Sequence, residues 1–134
     1  MSNIQIVQDA YGKFGSGDIA GLLGLCSTDI YWQTPEIENA HFGGKRHGHA
    51  EVGEFFSALV TDEDMTLFEP TEFIADGEKV VVLGKSASTV RSTGKKYEID
   101  WVHIFTVKDE KITSFVEFFD NALATRAFQK MTTA

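Results

Sequence analysis

The fold of this chain is decided by two consecutive strand-forming stretches, KYEIDWVHIFTVK (residues 96–108) and KITSFVEFF (residues 111–119), with Asp109 and Glu110 between them. Their composition predicts two adjacent β-strands joined by a short turn. Each apolar run is interrupted by one titratable side chain, His103 in the first strand and Glu117 in the second. Burying an imidazole or a carboxyl group costs stability unless the group has a partner. The two strands therefore indicate a pocket at this place.

The segments before these strands divide into helices followed by strands. Apolar residues recur at helical spacing near the start of the chain and again in residues 49–60, and a short helix is predicted at residues 19–25. A strand at residues 29–34 is stopped by Pro35, and residues 36–48 are predicted to be a loop. Strands are also predicted at residues 65–75 and 79–91, and a last helix at residues 121–130. Helices first and hairpin-connected strands afterwards predict an α+β domain.

Composition and charge limit the possible functions. The 134 residues are 43% hydrophobic and form one predicted domain, residues 1–134. A net charge of −8 without a basic stripe argues against a nucleic-acid partner. We expect no signal peptide and no membrane span. The single cysteine, Cys26, rules out an internal disulfide framework and favours the cytoplasm.

Several of these features together resemble a known family. They are a first helix ending at Gly17 and Asp18, the strand before Pro35, a helix opened by Gly48, and strands that end at Phe118-Phe119-Asp120. Over residues 7–127 this order resembles the nuclear transport factor 2-like (NTF2-like) superfamily, within it the branch of SnoaL-like polyketide cyclases and ketosteroid isomerases. The resemblance implies a cystatin-like cone, in which a curved antiparallel sheet wraps N-terminal helices around a deep pocket.

The same resemblance implies a homodimer that pairs through the outer face of the sheet. Alternate residues of the last two strands fit such a face, because they would otherwise leave an exposed apolar patch. These residues are Val102, Ile104, Val116 and Phe118.

The inner face depends on the register of the last two strands. If Val107 faces Lys111, then Trp101 faces Glu117, and His103 and Glu117 become diagonal neighbours on one face, about 7–8 Å apart at the backbone. A slip by one residue would move Glu117 to the other face. We prefer the first register because its inward face resembles that of the family.

His103 and Glu117 lie where SnoaL-like cyclases carry a pocket histidine and an acidic general acid/base, with Glu here in place of Asp. This resemblance implies catalytic roles for both, and the alternative is a structural pair that fixes the strands. The isomerase residues do not match, because Ala10 occupies the tyrosine position, Thr34 the base position and His103 the aspartic acid position. Tyr11 is predicted to point elsewhere on its helix.

Aromatic residues are numerous enough to build an apolar cavity for a cyclic, hydrophobic ligand. The predicted ligand-binding residues are Phe14, Trp32, Thr34, Phe55, Phe56, Trp101, Phe115 and Phe119. The three histidines at positions 41, 47 and 49 have no metal-site spacing, and we expect neither metal nor cofactor.

Three hypotheses follow from these residues. The first is a cofactor-independent isomerase or cyclase that transfers protons on a hydrophobic carbonyl compound, with Glu117 as acid/base and His103 as its partner. The second is a protein that binds such a compound without changing it. The third is a protein-interaction module.

Overall fold

A computed structural model of the chain describes residues 1–130, so the last four residues of the predicted domain lie outside the described part. Its elements in chain order are α1 (Asn3–Gly15), α2 (Ile19–Gly24), β1 (Cys26–Thr34), β2 (Gly44–His47), α3 (Gly48–Asp62), β3 (Glu63–Asp76), β4 (Lys79–Val90), β5 (Lys96–Lys108), β6 (Lys111–Phe119) and α4 (Asn121–Phe128). The α+β class with a curved sheet and N-terminal helices is confirmed.

The six strands form one sheet in the order β2-β1-β6-β5-β4-β3. All neighbours are antiparallel except β1 and β6, which run parallel. This pair differs from the predicted antiparallel sheet because α3 carries the chain from the β2 edge to the β3 edge. The following hairpins then bring β6 back beside β1.

Strand β2 lies in the segment that was predicted to be a loop. It is four residues long and pairs with β1, where Trp32 faces Arg46. Its residues Gly44, Lys45, Arg46 and His47 are polar or small and are not fully buried, so they show no hydrophobic alternation that could predict a strand.

The core lies between the helices and the inner face of the sheet. Strand β5 shows why, because every second residue from Tyr97 to Val107 is buried. Helix α1 begins with a capping box between Ser2 and Gln5, and it buries one side against this face. Among residues 1–130, the helices are all too short or too polar to cross a membrane.

The turn between β5 and β6 sets the register of the site. Lys108 pairs with Lys111, so the turn contains just Asp109 and Glu110, whose φ angles of 52° and 63° fit a two-residue hairpin turn. A bulge then follows, because Val107 pairs with Ile112 while Thr106 pairs with Ser114. Thr113 is the extra residue, and its hydroxyl donates to the carbonyl of Thr106 at 3.3 Å.

Candidate functional site

A cavity lies between the inner face of the sheet and helices α1 and α3, with a volume of about 80 Å³. We call it the inner chamber. Its wall is largely aromatic, with Trp32 stacked on Phe115 at 3.9 Å between ring centroids and Phe55 packed edge-on to Phe56. The polar side chains in this wall therefore lie in apolar surroundings.

Strands β5 and β6 bring His103 and Glu117 together as direct cross-strand partners. Nε2 of His103 lies 2.7 Å from Oε2 of Glu117, and both side chains are largely buried, with exposed fractions of 5% and 16%. The prediction that the two share one face is correct. The register differs by two residues from the preferred one, since His103 faces Glu117 and not Phe115.

Helix α1 adds a third member to this pair. The hydroxyl of Tyr11 lies 2.7 Å from Nδ1 of His103, so a hydrogen-bonded chain runs from Tyr11 through His103 to Glu117. The prediction that Tyr11 points elsewhere is wrong. Ala10 also lines the inner chamber, so the inward face of the helix includes both positions, and the longer tyrosine side chain reaches the imidazole.

The imidazole of His103 is held by rings on several sides. Trp101 stacks on it with 3.9 Å between centroids, and Phe115 packs against it edge-on at 4.7 Å. Trp101 itself lies over Gly84, where an added Cβ atom would come within 2.2 Å of the indole. This packing fixes the ring plane of His103 and thereby the direction of both its nitrogens.

Electrostatics keep Tyr11 protonated. Burial raises the pKa of the Tyr11 phenol well above its usual value, and the nearby carboxylate of Glu117 raises it further. A neutral phenol donates one hydrogen bond. With Glu117 ionised, neutral His103 carries its proton on Nε2, and Nδ1 accepts from Tyr11.

With this geometry in place, comparison with known proteins gives the family. Residues 7–115 match the model of the SnoaL-like domain. The chain belongs to the SnoaL-like family. The resemblance to the NTF2-like superfamily is thereby confirmed, and solved structures agree with it. No curated relative matches the sequence.

Three solved structures are similar over nearly the whole SnoaL-like chain. An NTF2-like protein from Burkholderia xenovorans is 36% identical, with 95% of each chain covered and a TM-score of 0.86. An NTF2-like protein of unknown function from Burkholderia pseudomallei is 32% identical, with 96% of this chain and 99% of that chain covered and a TM-score of 0.88. TerC, co-crystallised with polyporic acid, is 32% identical, with 94% of this chain and 97% of that chain covered and a TM-score of 0.85.

Most residues predicted to bind ligand in this SnoaL-like protein do line the inner chamber. They are Phe14, Trp32, Phe55, Phe56, Trp101, Phe115 and Phe119. Thr34 is outside the lining. Its side chain is buried at the end of β1 and donates a hydrogen bond to the carbonyl of Phe42 at 3.1 Å, so it fixes the following loop.

Each of the three histidines near α3 contacts a different part of the protein. His41 pairs through Nδ1 with the buried carboxylate of Asp62 at 2.6 Å. His47 stacks on Tyr31, and Nε2 of His49 lies 3.0 Å from the carbonyl of Cys26. Each ring therefore has a separate structural partner.

A second polar group in the chamber wall was missed by sequence reasoning. The hydroxyl of Tyr97 donates to Oε2 of Glu63 at 2.5 Å, and both residues are buried and line the inner chamber. Glu63 lies in the acidic segment 61–64, which in sequence reads as a solvated break after a helix. No local sequence pattern predicts that Glu63 pairs with Tyr97, because the two residues are 34 positions apart along the chain.

Proposed function

We propose that this SnoaL-like protein binds a cyclic, hydrophobic carbonyl compound in the inner chamber and transfers protons on it without a cofactor, as an isomerase or cyclase. The observation that carries the proposal is the hydrogen-bonded chain of Tyr11, His103 and Glu117 in an aromatic wall. A carboxylate base and a phenol donor held at fixed positions are the groups that such proton transfer requires.

The proposed reaction divides the roles among these three groups. Glu117 takes a proton from the carbon next to the ligand carbonyl, and the electron pair of that C–H bond moves into an enolate. The enolate oxygen accepts a hydrogen bond from Tyr11. If His103 is protonated, it donates from both nitrogens, so that Tyr11 is free to donate to the ligand. The proton then returns from Glu117 to another carbon of the enolate. Alternatively, the enolate carbon attacks a second carbonyl carbon of the ligand and closes a ring, and the electron pair of that C=O bond moves to its oxygen, which takes the proton from Glu117.

Relatives support the ligand class. TerC, at 32% identity, was co-crystallised with polyporic acid, a quinone that carries phenyl rings. In the present chain, the side chains of Trp32, Trp101 and Phe115 offer ring faces for stacking with such a compound.

The ligand is proposed to extend beyond the inner chamber. A wider cavity of about 680 Å³, which we call the outer chamber, adjoins it and shares part of its wall. The shared residues are Phe14, Phe56, Leu59, Glu63 and Met65. The outer chamber gives a compound with two rings more room than the inner chamber, whose volume is about 80 Å³.

One observation favours the second function, binding without turnover. Tyr11, His103 and Glu117 already satisfy one another with hydrogen bonds, as a purely structural chain would. In that case the aromatic wall would hold the ligand and none of the three groups would exchange protons with it.

Proton exchange separates the two functions. The probe is 2-tetralone in deuterated buffer, and loss of its α-proton signal is followed by NMR. The proposal predicts faster exchange with the protein than in buffer, and a rate lowered about a hundredfold or more in Glu117→Gln. The control is Glu98→Gln, which removes an exposed carboxylate from β5. Binding of 2-tetralone with the buffer exchange rate would instead establish the binding function.

We also propose that the chain forms a homodimer through the outer face of β5 and β6. Phe118 is 56% exposed on this face, and Val102, Ile104 and Val116 are partly exposed beside it. Light scattering during size-exclusion chromatography should give twice the chain mass, and Phe118→Lys should give the monomer.

A further inference from the structure

The wall of the inner chamber holds a second set of polar side chains besides the chain of Tyr11, His103 and Glu117. The buried polar or charged residues of the described chain are Thr34, Asp62, Glu63, Ser86, Ser88 and His103. Four of these six line the inner chamber, namely Glu63, Ser86, Ser88 and His103. Because burying polar groups costs free energy, their concentration around one cavity indicates a ligand that uses them.

Glu63 is the centre of this second set. It is the first residue of β3, is 6% exposed, and lines both the inner and the outer chamber. Tyr11, His103 and Glu117 line the inner chamber and are not in the wall of the outer one. The two polar groups therefore lie at different depths of one cavity.

Tyr97 fixes the position of the Glu63 carboxyl group. Its hydroxyl donates to Oε2 at 2.5 Å, a length typical of a hydrogen bond to a carboxylate. Ser88 lies opposite Tyr97 on the neighbouring strand, and its hydroxyl lowers the pKa of the same carboxyl group. A carboxylate has about four acceptor positions, so the hydrogen bond from Tyr97 leaves room for a donor from a ligand.

The charges around Glu63 decide which ligand group fits. Burial raises the pKa of Glu63, the hydroxyls of Tyr97 and Ser88 lower it, and the carboxylates of Glu117 and Asp62 raise it. Asp64 lines the outer chamber close by, and Arg91 in the same wall donates through Nε to the carbonyl of Val60. An anionic ligand group would meet three carboxylates, Glu63, Asp64 and Glu117, against the guanidinium of Arg91, whereas a neutral hydroxyl group meets acceptors.

We propose that Glu63, held by Tyr97, accepts a hydrogen bond from a hydroxyl group of the ligand. The ligand class is then an aromatic carbonyl compound with its carbonyl at Tyr11 and a neutral hydroxyl at the end that faces the outer chamber. This inference rests on the proposed function, because it assumes that the carbonyl end lies in the inner chamber.

The test uses three probes that differ in one substituent, namely chalcone, 4-methoxychalcone and 4-hydroxychalcone. Their dissociation constants are measured by quenching of tryptophan fluorescence, since Trp32 and Trp101 line the chamber. The wild-type protein should bind 4-hydroxychalcone about tenfold more tightly than the other two, as expected for one hydrogen bond to a charged group.

Variants then assign the preference to Glu63. Glu63→Met keeps the length of the side chain but removes the acceptor, and the preference for the hydroxyl should disappear. Glu98→Gln, which removes the exposed carboxylate next to Tyr97 in β5 and outside both chamber walls, should keep the preference. The probe series on the wild-type protein is informative even if a variant fails to fold.

The outcomes separate this inference from the proposed function. Equal binding of the three probes by the wild-type protein, or a hydroxyl preference that survives in Glu63→Met, would overturn the inference alone. If none of the three probes bound, both the aromatic carbonyl ligand and the inference built on it would be wrong.

Discussion

His103 and Glu117 face each other across β5 and β6 because a single extra residue, Thr113, bulges out of β6. The two-residue turn pairs Lys108 with Lys111, and an unbroken ladder from there would place Glu117 opposite Val102 on the outer face. The bulge shifts the pairing by one residue, so Glu117 turns inward and its Oε2 comes within 2.7 Å of the imidazole. The proposed chemistry thus depends on one local irregularity in the sheet.

Gly84 is predicted to be essential for the stacking of Trp101 on His103. In Gly84→Ala the new Cβ would lie 2.2 Å from the Trp101 ring and 2.7 Å from the carbonyl oxygen of Glu69, so the indole has to move. We expect a loss of about 1–3 kcal/mol in the free energy of unfolding, measured with urea. The matched control is Gly12→Ala in α1, where nothing lies within 4 Å and a helix interior favours alanine by about 1 kcal/mol. Equal changes in the free energy of unfolding for Gly84→Ala and Gly12→Ala would contradict the claim that Trp101 needs the space above Gly84.

The pH dependence of stability is predicted to change in Glu63→Gln. Because burial raises the pKa of Glu63 in the folded state, the folded protein holds this proton more tightly than the unfolded chain. The wild-type protein should therefore lose stability, relative to the variant, as the pH rises from the unfolded pKa of about 4.3 through the raised folded value. Urea unfolding of both proteins at several pH values checks this. The prediction would be contradicted if the wild-type protein gained stability relative to Glu63→Gln over this pH range. Asp64→Asn, which changes an exposed carboxylate, is the control.

Cys26 is predicted to be unreactive in the folded protein. Burial raises the pKa of its thiol to about 11, against a weaker opposite effect of Lys111, and Sγ lies 3.6 Å from the carbonyl oxygen of Leu22. At pH 8 the fraction of Cys26 present as thiolate is then roughly a hundredfold below that of a free cysteine. Burial of the side chain also limits access of a reagent to the sulfur. Reaction with Ellman's reagent should be slow in buffer and complete in denaturant. Rapid reaction of the folded protein would mean that the start of β1 opens easily.

Hydrophobic periodicity was sufficient to predict most of the helices and strands, because long amphipathic segments such as β5 carry an unambiguous pattern. It did not predict β2, which is short and polar, and it did not predict that β1 runs parallel to β6. That His103 and Glu117 share the inward face was predicted from family resemblance. Their direct pairing was not predicted, because the register depends on the bulge at Thr113, which has no signal in the sequence.

The remaining site residues required three-dimensional contacts. Ala10 and Tyr11 both lie on the chamber side of α1, and which of them reaches His103 depends on how the helix is rotated against the sheet. Glu63 and Tyr97 come together from two strands that are separated by β4. Charged residues such as Glu63 at the end of a helix are usually solvated, so their burial cannot be inferred from local sequence.

The rate of α-proton exchange in 2-tetralone, compared among wild-type protein, Tyr11→Phe, Glu117→Gln and the double variant, tests the central claim most directly. Residues that act as one catalytic unit show strongly non-additive losses. We predict that Glu117→Gln loses about a hundredfold or more in rate and that the double variant is no slower than the slower single variant. Exchange at the wild-type rate in Glu117→Gln would contradict the claim that this hydrogen-bonded chain moves protons on a ligand.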